Sequence, residues 1–359
     1  MKKLSVREIA KYCGASPATI NQIMKHGKYP KKGADALRQK LIALGIDAPD
    51  NAQTNEENIM LRKQSLLPKT RQSFKIHGDP FGAEVRDAED MFIDENVRYV
   101  CESVYMTAKH GGMLGVIGES GSGKSTIRRY LHDRLKREAL PIVLIEPYVI
   151  SMDDEKGLLG RPLRADHIAE AILNTIAPSS RVPRSPEARF RTLHKALKES
   201  ARAGNRHVLI IEEAHDLHGK TLKQLKRFYE LEDGFNRLLS IILFGQSELR
   251  AKLDETNSEV REVVQRLELV ELRPMNNPEG YIRHRLERVG MKFEAVFAPD
   301  AMDALRLKHA GPGAHERGKA REAVSLLYPL AVGNTLIAAC NLAAEIGMDK
   351  VTGDIINRV

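Results

Sequence analysis

The sequence predicts an α/β fold: a mostly parallel sheet covered by helices on both faces, a C-terminal helical lid, and a small all-helical domain ahead of them. Three observations carry this. Apolar runs at 113–117, 141–145, 207–211 and 239–244 are nearly continuous rather than alternating, as strands buried on both faces are. Helical patterns separate them, so strand and helix alternate from about residue 73 to 274. Beyond 275 strand patterns cease, and 277–289, 299–309, 319–328 and 333–346 read as helices around a loop, GPGAHERG, at 311–318.

Composition bounds the class. The 359 residues suffice for two or three domains, and 42% apolar with 29% charged residues are globular values. No stretch has the eighteen or so apolar residues of a membrane span, and MKKLSVREIAKYCG at the amino terminus lacks a signal-peptide core. Cys13, Cys101 and Cys340 fit neither a zinc cluster nor a disulfide scaffold, so a reducing, cytoplasmic setting is expected. The net charge of +8 resides entirely in residues 1–45, leaving the remainder neutral. That asymmetry favours a nucleic-acid contact in the terminal module.

Taken in order, residues 1–45 fit short helices with a compact apolar set of Ile9, Ala10, Cys13, Ala15, Ile20 and Ile23. Gly14 suits the turn, and Ser16 with Pro17 suits a cap and first turn. The pattern resembles a helix-turn-helix. Ala18, Thr19, Asn21 and Gln22 would form its groove-facing side, and Lys25, Lys28, Lys31 and Lys32 would flank phosphates. A protein-docking helical module is the competing reading. Residues 46–72 are polar and poorly periodic and read as a linker; the core is expected over 73–274 and the lid over 275–359.

GESGSGKST, at 118–126, is a phosphate-binding loop placed between an apolar strand and the helix TIRRYLHDRL. Gly118, Gly121 and Gly123 let the backbone curl so that N–H groups, including those of Ser122 and Thr126, face phosphates at a helix N-terminus. Lys124 reaches the β and γ phosphates, and Ser125 coordinates Mg²⁺. ATP and Mg²⁺ are therefore expected. The strand VLII at 208–211 ends in Glu212 and Glu213, adjacent like charges that need compensation. Beside a phosphate loop they gain a purpose: Glu212 supports the metal's water shell and Glu213 acts as general base on the lytic water. His215 and Asp216 are read as ordering the loop that follows. At the next strand end, in FGQSEL, Gln246 can bridge water and γ-phosphate, with Ser247 second.

In the order of these parts the chain resembles AAA+ ATPases, and within them the transposition ATPases typified by the phage Mu B protein and the Tn7 regulator TnsC, with the related ExeA-type secretion ATPases. GESGSGKST, VLIIEEAHDL, GQSEL and VVQRLELVELRPM carry the resemblance. It implies a Walker A loop at Lys124 and Ser125, Walker B at Glu212 and Glu213, sensor 1 at Gln246, and an arginine acting on a neighbouring subunit at Arg266, with Arg261 second. The strand ends Glu-Glu where relatives commonly end Asp-Glu. Where the secretion ATPases carry Gly-x-Pro-Arg in the lid, this chain has Asn334 and Thr335 and no arginine.

The resemblance also implies partners. They are duplex DNA, further copies of the chain in a ring or helical filament, and a transposase, with no membrane. In KTLKQLKRF, Lys220, Lys223, Lys226 and Arg227 share one side and could track a DNA backbone. The alternatives are a transcription regulator with an ATPase-gated oligomeric state, a helicase loader, or a secretion-assembly ATPase. A secretion ATPase is expected to continue into a membrane span, which counts against it for a chain ending at Val359.

Overall fold

The computed structural model describes residues 63–147, 163–254, 260–310 and 325–359, the backbone at 315–316 and 319–320, and scattered residues between Ala10 and Leu41. It divides into two compact units, Met1–Arg62 and Lys63–Val359. In the first, Ala10, Cys13 and Leu41 are buried. The Ser16 hydroxyl accepts the Thr19 N–H at 3.1 Å, the side-chain cap expected there. Thr19 is half-buried; Asn21, Gln22, Lys25, Lys28, Lys31 and Lys32 lie outside the described residues.

The second unit opens with α1 (Pro68–Ser73). Read from sequence as the end of a linker, residues 63–72 instead belong to this unit. The Asn341 side chain accepts from Leu67 N and Thr70 Oγ1, at 3.1 and 2.7 Å, and donates to Ser65 O at 3.0 Å. The core then runs α2 (Glu95–His110), β1 (Met113–Ile117), α3 (Lys124–Arg137), β2 (Ile142–Ile145), α4 (Ala165–Ile176), α5 (Pro186–Arg202) and β3 (Arg206–Ile211). It continues through α6 (Gly219–Tyr229), a hairpin of β4 (Glu232–Asp233) and β5 (Asn236–Arg237), β6 (Ser240–Gly245), α7 (Ser247–Lys252), α8 (Arg261–Val264) and β7 (Leu267–Glu271).

Five strands form one parallel sheet in the order β2-β3-β6-β1-β7. Alternate residues of each strand enter opposite layers. Val208, Ile210, Ile242 and Phe244 pack with Val104 of α2 and Leu131 of α3, while Leu209, Ile211, Ile241 and Leu243 pack with helices α4 to α7. Burial on both faces accounts for the unbroken apolar runs in the sequence.

The lid comprises α9 (Pro278–Glu287), α10 (Phe293–Val296), α11 (Ala301–Lys308), α12 (Pro329–Glu345) and α13 (Gly353–Arg358) around its own apolar cluster, to which Leu66, Phe74 and Ile76 also contribute. The helix expected over 319–328 does not form as such. Backbone at 319–320 pairs with 315–316, and Tyr328 is extended (φ −97°, ψ 152°) ahead of Pro329. Proline clashes with a helical conformation at the preceding residue, so the helix starts after Tyr328 rather than running through it. Among the described residues no helix is long and apolar enough to cross a membrane.

Candidate active site

The phosphate loop leaves the C-terminal end of β1, where Gly118 N–H donates to Gly245 O of β6 at 3.1 Å. Gly121 (φ +75°) and Gly123 (φ +104°) adopt the left-handed conformation that turns the chain into α3. Lys124 Nζ donates to Gly118 O and Glu119 O at 2.7 and 3.1 Å. Burial lowers its pKa from the ordinary lysine value, against the raising effect of Glu213, Glu119, Glu212 and Glu248. The Ser122 hydroxyl is buried and has no hydrogen-bond partner. A buried orphan hydroxyl, a held ammonium group and the first turn of a fourteen-residue helix suit phosphate oxygens.

A cavity of about 510 Å³ surrounds this loop. Ser120 to Ile127 line one side, with Glu213 and Gln246 from the strand ends. Its apolar end is formed by Phe81, Val85, Met91, Phe92, Met275 and Tyr281, a lining suited to a purine base. The lid reaches it through Pro329 and Leu330, and Leu330 N–H donates to Gly121 O at 3.3 Å.

β6 lies between β1 and β3, so Gln246 follows the strand adjacent to the phosphate loop and the two glutamates follow the next one. Glu213 bends away from the strand with φ 48° and ψ 40°, a costly conformation for a residue with a Cβ. The bend separates the carboxylates. Glu213 lines the cavity, and its Oε2 lies 3.3 Å from His215 Nδ1. Glu212 Oε1 lies 3.0 Å from Arg128 Nε in α3. Arg128 Nη1 also contacts Glu146 Oε1 at 3.0 Å, and His132 Nε2 meets the same oxygen at 3.0 Å. Hydrogen bonds from His132 and Arg128 hold the Glu146 carboxyl below its usual pKa despite burial. Glu212, expected to support the metal's water shell, is thus paired with the Arg128 guanidinium.

Gln246 occupies the N-cap position of α7 without a side-chain cap hydrogen bond, and Ser247 is exposed in the first turn. Asn334 and Thr335 are buried: Asn334 Oδ1 accepts from Gln64 N at 3.1 Å, and Thr335 Oγ1 meets His309 Nε2 at 3.1 Å. Arg266 Nη1 donates to Glu262 O at 2.7 Å, and its Nη2 pairs with Glu230 at 2.9 Å. It precedes Leu267, which pairs with Met113 at the start of β1, whereas the phosphate loop follows Ile117 at the other end. Five residues of strand, roughly 16 Å, separate the two ends. On α6, Lys220, Lys223 and Arg227 are exposed, while Lys226 is half-buried and paired with Glu262 at 2.9 Å.

Two arginines escaped the sequence reading. Arg285, almost fully buried, donates to Pro80 O and Ala83 O at 2.6 and 2.7 Å and so fixes the loop that carries Phe81 and Val85. Arg288 beside it pairs with Asp90 at 2.7 Å. The available signal was an arginine on the apolar stripe of α9, four residues after Tyr281.

Residues 107–253 match the family of AAA domains. The core is an AAA+ ATPase domain. It hydrolyses ATP. The chain is 26% identical over 208 residues to general secretion pathway protein A of Aeromonas hydrophila, across 56% of this chain and 34% of that protein. It thus spans about a third of that relative's length. Among solved structures, the chain is similar to Cdc6p from Pyrobaculum aerophilum, at 13% identity and a TM-score of 0.46 over 74% of this chain and 68% of that one. ORC2 of Aeropyrum pernix shows 15% identity and a TM-score of 0.45 over 80% and 70%.

Proposed function

We propose that the protein is an assembly ATPase, in which ATP held on one copy is completed by Arg266 of the next and hydrolysis dissolves the contact. The observation carrying this is the placement of Arg266 at the sheet end opposite its own phosphate loop. An arginine there can serve a nucleotide only on a neighbouring copy, as arginines supplied in trans do.

Within one site, backbone N–H groups of 121–126 and Lys124 hold the phosphates. Glu213 takes a proton from the attacking water, and Gln246 orients that water toward the γ-phosphate. Magnesium, held by Ser125 and phosphate oxygens, would neutralise charge on the transferring group. Loss of the γ-phosphate removes what Arg266 recognises, so ATP favours assembly and ADP disassembly.

For what the assembly acts on, the named relative supports a secretion-assembly role better than the transposition role read from the motifs. The second reading, a DNA-binding transposition regulator, or a transcription regulator gated in the same way, is favoured by charge. Residues 1–45 carry the whole net +8, and α6 exposes Lys220, Lys223 and Arg227. Electron microscopy and sedimentation with a slowly hydrolysed ATP analogue or ADP, each with and without duplex DNA, test both parts. Larger species in the ATP-like state alone support assembly, and one size in both states would refute it. Assembly indifferent to DNA favours the secretion reading, whereas DNA-coated filaments whose affinity falls steeply with salt favour the DNA reading.

A further inference from the structure

Glu213 and Gln246 sit at the ends of two neighbouring strands, and a single side chain lies between them. His215 follows Glu213 by two residues, in the short turn Ala214–Asp216, and its side chain is 14% exposed. Its Nδ1 is 3.3 Å from Glu213 Oε2. Its Nε2 is 3.3 Å from Gln246 Nε2. The Gln246 backbone N–H also points at Nδ1 from 3.4 Å, and Asp216 Oδ1 lies 3.7 Å from Nε2.

We infer that His215 is a positioning residue for hydrolysis, joining the Gln246 amide to the Glu213 carboxylate in one chain of polar contacts. The neutral imidazole with its proton on Nδ1 satisfies both side-chain contacts at once. Gln246 Nε2–H donates to Nε2, and Nδ1–H faces Glu213 Oε2 across 3.3 Å; in this tautomer Nδ1 does not accept the Gln246 backbone N–H. The turn that carries the ring is held in place. Lys252 Nζ donates to the carbonyls of His215 and Leu217, tying this turn to α7. The left-handed backbone of Glu213 folds the chain back so that the imidazole lies against the carboxylate instead of continuing outward with the strand.

The consequence is mechanical. A carboxylate half exposed at a strand end has several rotamers, and only some aim at a water beside the γ-phosphate. A donor on one carboxylate oxygen fixes the rotamer and leaves the other oxygen for the water. Because the same ring holds Gln246, the group that takes the proton and the group that orients the water move as a unit. This inference rests on Glu213 being the base.

The test compares ATP turnover, binding of a fluorescent ATP analogue and melting temperature in the full chain. The variants are His215→Ala, His215→Asn, His215→Gln and Glu213→Gln. His215→Ala is expected to lower kcat about 10²-fold, the size of effect that misplacement of a reacting group produces, with KM and analogue binding unchanged. Asparagine places an amide N–H where Nδ1 stands, so His215→Asn should restore turnover to within about tenfold of the parent. His215→Gln, reaching the Nε2 position instead, should not. If His215→Ala fails to fold, the Asn and Gln pair decides the matter. In a Glu213→Gln background, where the base is already lost, His215→Ala should cost much less than it does in the parent.

Parental turnover in His215→Ala, or equal turnover in the Asn and Gln variants, overturns the proposal. Full turnover in Glu213→Gln removes the base, and the proposal with it. Slow Glu213→Gln with fast His215→Ala removes the positioning role alone.

Discussion

The contact between lid and phosphate loop makes Gly121 the most demanding glycine of the site. A Cβ built there would lie 2.3 Å from Leu330 Cβ and 2.8 Å from Leu330 Cδ2, and the residue has φ +75°. Gly121→Ala therefore carries two penalties. The left-handed backbone costs a residue with a Cβ about 1–2 kcal/mol. Overpacking against the first turn of α12 costs about a further 1–3 kcal/mol. Urea unfolding without nucleotide should show a loss of about 2–5 kcal/mol in all. The second site separates the terms. Adding Leu330→Ala gives only partial relief, because it removes the Cδ2 contact but keeps the closer one to Cβ. Adding Leu330→Gly should recover the packing share and leave the backbone share of about 1–2 kcal/mol. A Gly121→Ala protein within about 0.5 kcal/mol of the parent, or equal rescue by alanine and glycine at 330, would refute the reasoning.

Four further outcomes are expected. Glu213→Gln should bind nucleotide as the parent does and hydrolyse it at least 10²-fold more slowly in a single-turnover assay. Arg266→Ala should lose about 10³-fold or more in kcat; mixing it with an inactive Lys124→Ala protein should restore part of the activity, since mixed neighbours contain complete sites. Arg128→Ala should leave the Glu212 carboxylate without its close cation, and its magnesium dependence of turnover, measured by titration, should shift relative to the parent. Finally, burial and the neighbouring Lys308 push the His309 pKa down to about 4. The unfolded chain binds this proton first as pH falls, so the contribution is complete above about pH 6.5 and is lost progressively toward pH 4. It amounts to roughly 3 kcal/mol over that window, and urea unfolding of His309→Gln should show a correspondingly flatter pH profile.

Four of the five core strands were legible because burial leaves unbroken apolar runs, whereas β7, whose sequence LELVE carries two glutamates and is mostly not buried, was missed. The phosphate loop was legible because its glycines, lysine and serine work through local geometry. Glu213 and Gln246 were legible as polar residues ending such strands. The lid was less so: Pro329 overrode an apparent helical pattern at 319–328, and residues 63–72 looked like a linker because their partner, Asn341, is some 270 residues away.

What the sequence by itself determined was the layer order of the sheet region, the position of the phosphate loop and the residue types available for hydrolysis. These follow from periodicity and from chemistry contained in short segments. Tertiary structure alone decided which glutamate turns to the cavity and which to Arg128, that His215 lies between Glu213 and Gln246, and that Leu330 presses on Gly121. It also placed Arg266 out of reach of its own loop. Each of these depends on a side chain meeting an element distant along the chain or on a backbone bend at one residue, and a linear pattern encodes neither.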